Sequence, residues 1–138
     1  MNHDLNVLLV EDDDIDYMSI VRSFKKRKIL NPITRAIDGV HALELLQTEK
    51  IKKPFIILLD LQMPRMNGLE FLAAVRDNEQ LSDSVIFVLT TSSNEQDIVQ
   101  SYQKHVAGYF IKDDISTQFL DVIDVLDGYW RILKLPKA

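Results

Sequence analysis

An α/β fold built on a parallel central sheet is what this sequence predicts, and two observations carry it. Five apolar runs of strand length, Leu5–Val10, Ile33–Ile37, Phe55–Leu59, Val85–Leu89 and Gly108–Ile111, alternate with segments of helical spacing, which reads as five βα units. The third and fourth runs are apolar at nearly every residue, as strands covered on both faces require.

The intervening segments justify themselves in order. After Asp13, the residues Ile15, Met18, Ile20, Val21 and Phe24 fall near one helical face, and Gly39 to Leu46 reads as a second helix. A third begins at Gly68 and turns Leu69, Phe71, Leu72 and Val75 inward. The fourth, over residues 94–104, carries Ile98, Val99 and Tyr102 but is mostly polar, so it is expected to be the least buried. The last runs from about Ser116 toward Leu133, with Phe119, Leu120, Ile123, Leu126 and Trp130 as its stripe; Asn94 and Ser116 are the expected N-caps. Pro136 stops whatever helix precedes it.

Composition narrows the function. At 138 residues, with no repeat, low-complexity stretch or linker, one domain is expected. A net charge of −5 argues against broad nucleic-acid binding, and the one basic cluster, Lys25-Lys26-Arg27-Lys28, reads as a solvated helix end. No apolar run approaches the roughly 20 residues of a membrane helix. The start lacks the pattern of a secretory signal and the chain has no Cys, which fits a cytoplasmic setting and leaves no thiolate metal site.

In an open parallel sheet the strand C-termini share one edge, and ligands bind there. Just past those termini stand Glu11 and Asp12, then Asp60, Thr90 with Thr91, and Lys112. Carboxylates with a nearby carbonyl suit a hard cation such as Mg²⁺, which takes phosphate oxygens as further ligands. One carboxylate then remains to attack phosphorus, with a Lys ammonium and a Thr hydroxyl for the phosphoryl oxygens. A charge such as Asp60 at the end of a buried strand is costly unless paired or coordinated. The neighbouring Asp13, Asp14 and Asp16 are explained more simply, as a cap and first-turn acids of the first helix. An EF-hand loop is excluded, because Tyr17 stands where its Gly belongs and Ser23 where its Glu belongs. His3, His41 and His105 have no metal-like spacing and read as surface or packing residues.

The segments LLVEDD, ILLDLQMPRMNG, VLTTS and GYFIK, in this order and spacing, resemble the signature segments of the response-regulator receiver domain of two-component signalling. The resemblance covers essentially the whole chain. It implies a flavodoxin-like (βα)₅ doubly wound sheet of order 2-1-3-4-5. It implies Asp60 as phosphoacceptor, and Mg²⁺ held by Glu11, Asp12, Asp60 and the Gln62 carbonyl. It further implies Thr90 as switch hydroxyl, Lys112 as phosphate partner, Tyr109 as switch aromatic, and Gln62 and Ser92 as positions that tune phosphate lifetime. Pro64 and Gly68 match the loop after the acceptor, where Pro64 stiffens the turn and Gly68 gives backbone freedom. One departure is Asp113, followed by Asp114, where the family has proline; both acids are placed to compete for the Lys112 ammonium.

Residues and resemblance together predict a stand-alone phosphoacceptor switch over residues 1–138 with an extended C-terminal helix and no output domain, so no DNA or membrane partner is expected. The donor implied is a sensor histidine kinase or a phosphotransfer protein, and the output a protein contact or onward relay. The tail, GYWRILKLP, resembles single-domain regulators associated with bacterial phytochromes. Trp130 then either serves a homodimer or kinase interface, on the face of helix 4, strand 5 and helix 5, or folds back onto the core. Two other readings stay open. A Mg²⁺-dependent phosphohydrolase with an aspartyl nucleophile would carry an acid where Gln62 stands, and Gln62 cannot trade protons. A receiver that never carries phosphate would act as a scaffold.

Overall fold

The computed structural model describes residues 5–112, 124–129 and 135. Five strands, β1 (Asn6–Val10), β2 (Ile33–Ala36), β3 (Phe55–Leu59), β4 (Val85–Thr90) and β5 (Gly108–Ile111), form one parallel sheet of order β2-β1-β3-β4-β5. They alternate with α1 (Asp14–Lys26), α2 (Gly39–Gln47), α3 (Gly68–Asp77) and α4 (Glu95–Gln103), and residues 124–129 are helical. This is the fold expected from the sequence.

The unbroken apolar strands work because neighbouring residues point to opposite faces. Leu8, Val10, Ile57, Leu59, Ile86 and Val88 pack on one face against Ala42 and Leu46 of α2 and Phe71, Leu72 and Val75 of α3. Val7, Leu9, Ile56, Leu58, Phe87 and Leu89 pack on the other against Ile20 and Phe24 of α1 and against Leu126. The sheet is therefore covered on both sides, and at its C-terminal edge the buried charged residues Glu11, Asp60 and Lys112 follow β1, β3 and β5.

Two helix starts follow the expected caps, those at Asp13 and Asn94. Asp13, Asp38, Asn67 and Asn94 accept from backbone N–H groups in the first turns of α1, α2, α3 and α4, and Asn67 with Glu70 forms a reciprocal capping box. α4 buries only Ser101 among its residues, as its polar composition predicts. Lys25 and Lys26 close α1 in its last turn, where cations suit the dipole.

Three details differ from the sequence reading. Ile15 and Met18 lie outside, 73% and 54% exposed, because Tyr17, Ile20 and Phe24 define the inner face. At about 100° per residue, Ile15 and Met18 sit on the opposite side of α1. β2 ends at Ala36 and leaves Ile37 exposed, while β4 runs one residue further, to Thr90. Gly68 has no positive φ; it is required because a Cβ there would lie 2.6 Å from Leu61 Cα and 2.7 Å from the Asp60 carbonyl oxygen. The expectations for Ser116, Phe119, Leu120, Ile123 and Trp130, and for Asp113 and Asp114, fall outside the described residues.

Candidate functional site

The sheet ladder runs one residue beyond the strands. Glu11 N–H donates to the Ala36 carbonyl at 2.9 Å, Asp60 N–H to Val10 at 3.0 Å, and Lys112 N–H to Thr90 at 2.7 Å. Each bond fixes the backbone of a charged residue just where its strand stops. Glu11, Asp60, Thr90 and Lys112 are all buried, and Asp12 is exposed at the mouth.

Asp60 is held from one side and faced from the other. Its Oδ1 accepts from Thr90 Oγ1 at 2.7 Å and from Gln62 N–H at 3.2 Å. Its Oδ2 lies 3.8 Å from Lys112 Nζ, too far for a hydrogen bond. The Lys112 ammonium instead donates to Glu11 Oε1 and, at 3.1 Å, to Asp16 Oδ2. Asp16 is thus tied to the site, beyond the first-turn role read from the sequence.

Burial dominates the electrostatics. It pushes the Glu11 carboxyl up to about 7, against the opposing pull of Lys112 and with the help of Asp60. Burial works to lower the Lys112 pKa, but the carboxylates of Glu11, Asp60 and Asp16 outweigh it and the net direction is up. Among the described residues Lys112 is the one ammonium within 3.8 Å of Glu11, Asp16 and Asp60, with Asp12 beside them, so acids outnumber cations at the site.

That donor set fits a hard divalent cation. Carboxylate oxygens of Glu11, Asp12 and Asp60 lie within 4.8 Å of one another, and no other such group exists among the described residues. Octahedral Mg²⁺ with bonds of about 2.0–2.1 Å needs ligand oxygens about 3–4 Å apart, within a small movement of this arrangement. The ligands are all oxygen, with no imidazole or thiolate to favour a softer metal. A cleft of about 470 Å³ opens beside Asp12, Gln62 and Asp97.

On the β4 side the expected switch residues are linked. Ser92 N–H donates to Thr90 Oγ1 at 3.4 Å, and the Tyr109 hydroxyl donates to the Ser92 carbonyl at 2.9 Å. Ser92 Oγ donates to Asp97 Oδ2 at 2.6 Å, in the first turn of α4. Burial raises the half-buried Tyr109 hydroxyl above its ordinary pKa, so it stays a donor. Gln62 is exposed at the mouth, and its Oε1 accepts from Thr91 Oγ1 at 2.8 Å.

Sequence reasoning missed two arginines and a buried acid. Arg35, in β2, donates from Nε to the Glu11 carbonyl at 2.9 Å and from Nη2 to the Asp12 carbonyl at 3.1 Å. It also pairs with Asp14 at 2.8 Å and covers the Tyr17 ring, so one side chain braces the whole acidic loop. Arg65, at φ 61°, grips the buried Asp38, which ties the loop after Asp60 to the start of α2. Nothing in the local pattern announces these pairs.

The family description "response regulator receiver domain" matches residues 7–124. The response regulator Rcp1 of Synechocystis sp. is 33% identical over 137 residues, covering 96% of this chain and 93% of its own. The solved Mn²⁺-bound form of Rcp1 superposes with a TM-score of 0.85 at 32% identity, covering 96% of this chain and 99% of that one. The phosphorylated cyanobacterial phytochrome response regulator RcpA superposes with a TM-score of 0.86 at 29% identity, covering 95% and 97%. With an acidic pocket at the sheet edge and a family match spanning nearly all of its length, the chain belongs to the response-regulator receiver family of two-component signalling.

Proposed function

We propose that this chain is a phosphoaccepting switch in which Asp60 takes a phosphoryl group from the phosphohistidine of a histidine kinase or phosphotransfer protein. One observation carries the reading: Asp60 ends a buried strand with Thr90 on one oxygen, Lys112 facing the other, and Glu11 and Asp12 alongside. Receivers of this family act as signalling switches, and the Mn²⁺-bound and phosphorylated relatives support both halves of the chemistry.

Asp60 Oδ2 attacks phosphorus while the N–P bond of the donor breaks, and the leaving imidazole takes up a proton. Glu11, Asp12, Asp60 and the Gln62 carbonyl would hold Mg²⁺, which supplies charge neutralisation at the phosphoryl oxygens. Lys112 Nζ turns from the acids to one phosphoryl oxygen, and Thr90 Oγ1 turns from Asp60 Oδ1 to another. The turn of Thr90 withdraws the acceptor of the Ser92 N–H, and Tyr109, bonded to the Ser92 carbonyl, moves with it. Gln62 and Ser92 stand where they would tune how long the phosphate lasts. Gln62 offers no acid or base for turnover, which favours a stored phosphate over a phosphohydrolase.

The partner we infer is a phytochrome-type histidine kinase, supported by the relative RcpA. The output surface we infer is α4, β5 and the C-terminal helix, where Val99 and Tyr102 are exposed. No helix among the described residues is long and apolar enough to cross a membrane. Incubation with candidate phosphorylated kinases and Mg²⁺, read by mass spectrometry, should add one phosphoryl group to the protein and none to Asp60→Asn. An unmodified protein with every donor, acetyl phosphate included, would leave only the scaffold role.

A further inference from the structure

We propose that Asp16 is a positioning carboxylate that holds the Lys112 ammonium on the α1 side of the site until a phosphoryl group arrives, and so limits how tightly that group is held. The inference rests on the reading of Asp60 as acceptor and adds a competitor to it.

Geometry sets the competition. Lys112 Nζ is 3.1 Å from Asp16 Oδ2 and 3.8 Å from Asp60 Oδ2, so the ammonium is bonded to α1 and only near the acceptor. A second donor position is taken by Glu11. An ammonium has three N–H groups, and turning two of them toward the acids aims the Nζ away from Asp60. Asp16 is well placed to hold it. Its backbone N–H donates to the capping side chain of Asp13 at 2.8 Å, which anchors the first turn of α1, and its own side chain is only 27% exposed.

Phosphorylation reverses the balance. A phosphoryl group on Asp60 brings oxygens toward Nζ, while cation binding draws Glu11 toward Asp12 and Asp60. Asp16 belongs to neither group, since it is outside the cluster of carboxylates that could share a cation. It therefore remains as the rival for Lys112 in the phosphorylated state. Removing its charge frees the ammonium for the phosphoryl oxygens.

The test uses beryllofluoride, a phosphoryl mimic, titrated into the full chain at saturating Mg²⁺ by isothermal calorimetry. Asp16→Asn keeps the shape and removes the charge, and its affinity should exceed that of the parent by about threefold to tenfold. Asp14→Asn removes the same charge from the same turn, but Asp14 pairs with Arg35. Its affinity should change by less than about twofold, since screening weakens charges that make no direct contact. In the phosphate-free, metal-free protein the Lys112 ¹³Cε resonance should move in Asp16→Asn and stay in Asp14→Asn. Asp16→Ser repeats both measurements with a smaller side chain. Unchanged or weaker binding by both Asp16 variants overturns the inference, as does an equal gain in Asp14→Asn. If the parent protein takes up no beryllofluoride, the acceptor reading of Asp60 falls and this inference falls with it; normal uptake without an Asp16 effect sinks the inference alone.

Discussion

Arg65 grips Asp38 with two hydrogen bonds, Nε to Oδ2 at 2.6 Å and Nη2 to Oδ1 at 3.1 Å, and so joins the loop after the acceptor to the start of α2. The same carboxylate caps α2 through the His41 N–H at 2.9 Å. The Arg65 hydrogen bonds lead the causes that hold the Asp38 carboxyl below its ordinary pKa. A depressed acid stabilises the fold above its unfolded pKa and loses that contribution as pH falls through its folded pKa. Asp38→Ala should cost about 1–3 kcal/mol in urea unfolding at neutral pH, through the lost cap and the freed guanidinium. The difference from the parent should shrink as pH falls below about 4, where the unfolded carboxyl takes up its proton first and the folded one follows at lower pH.

Gly68 lets the start of α3 touch the backbone of the acceptor itself. Its N–H donates to the Leu61 carbonyl at 3.0 Å, and a Cβ would lie 2.7 Å from the Asp60 carbonyl oxygen. Those neighbours are backbone, with no flexible end to give way. Gly68→Ala should therefore destabilise by about 1–3 kcal/mol, despite alanine's better helix propensity, and should slow phosphoryl uptake by displacing Asp60. A thermal melt and a phosphorylation time course on one preparation would check both; a more stable Gly68→Ala would contradict the contact.

The strands and the site edge were readable in advance for one physical reason. Strands buried on both faces have to be apolar at nearly every position, so a charge immediately after Phe55–Leu59 stands out as a site residue. Asp60 was visible that way, whereas Lys112 follows a half-buried edge strand and stood out only through its register with Asp60. Helix faces were less legible, since Ile15 and Met18 satisfy a helical spacing with Val21 and still point outward. Least legible were the side-chain pairs made across the fold. Arg35 with the Glu11 and Asp12 carbonyls, Arg65 with Asp38, and Lys112 with Asp16 join residues from separate elements, and no local periodicity encodes such partners.

Arg35 should matter to cation binding without touching the cation. Its two bonds to the Glu11 and Asp12 carbonyls fix the loop from which both acids project, and its pair with the exposed Asp14 adds little. Arg35→Met keeps much of the apolar stem over Tyr17 and removes every hydrogen bond. Mg²⁺ affinity should fall by about threefold to tenfold, the size expected when a preorganising contact of about 1 kcal/mol is lost. Calorimetric titration of Mg²⁺ into both proteins checks it, and a parallel urea titration separates loop order from global stability.

Glu11 couples the cation to protons, and burial sets the sign. Its folded carboxyl is raised from 4.5 to about 7, so between those values the folded protein keeps a proton that the unfolded chain has released. Without metal, stability from this group is therefore greatest at low pH and declines as pH rises toward 7. A cation needs the carboxylate, so binding must expel that proton. Mg²⁺ affinity should climb by up to about tenfold per pH unit between about pH 5 and 7 and level off above. Saturating Mg²⁺ should also abolish the metal-free decline in stability, because it occupies the same ionised carboxylate. Calorimetry in two buffers of different ionisation enthalpy would count the released proton at pH 6. Glu11→Gln removes the group that titrates, so its weaker Mg²⁺ affinity should be nearly flat over this window; an equally steep profile in that variant would place the proton on another residue.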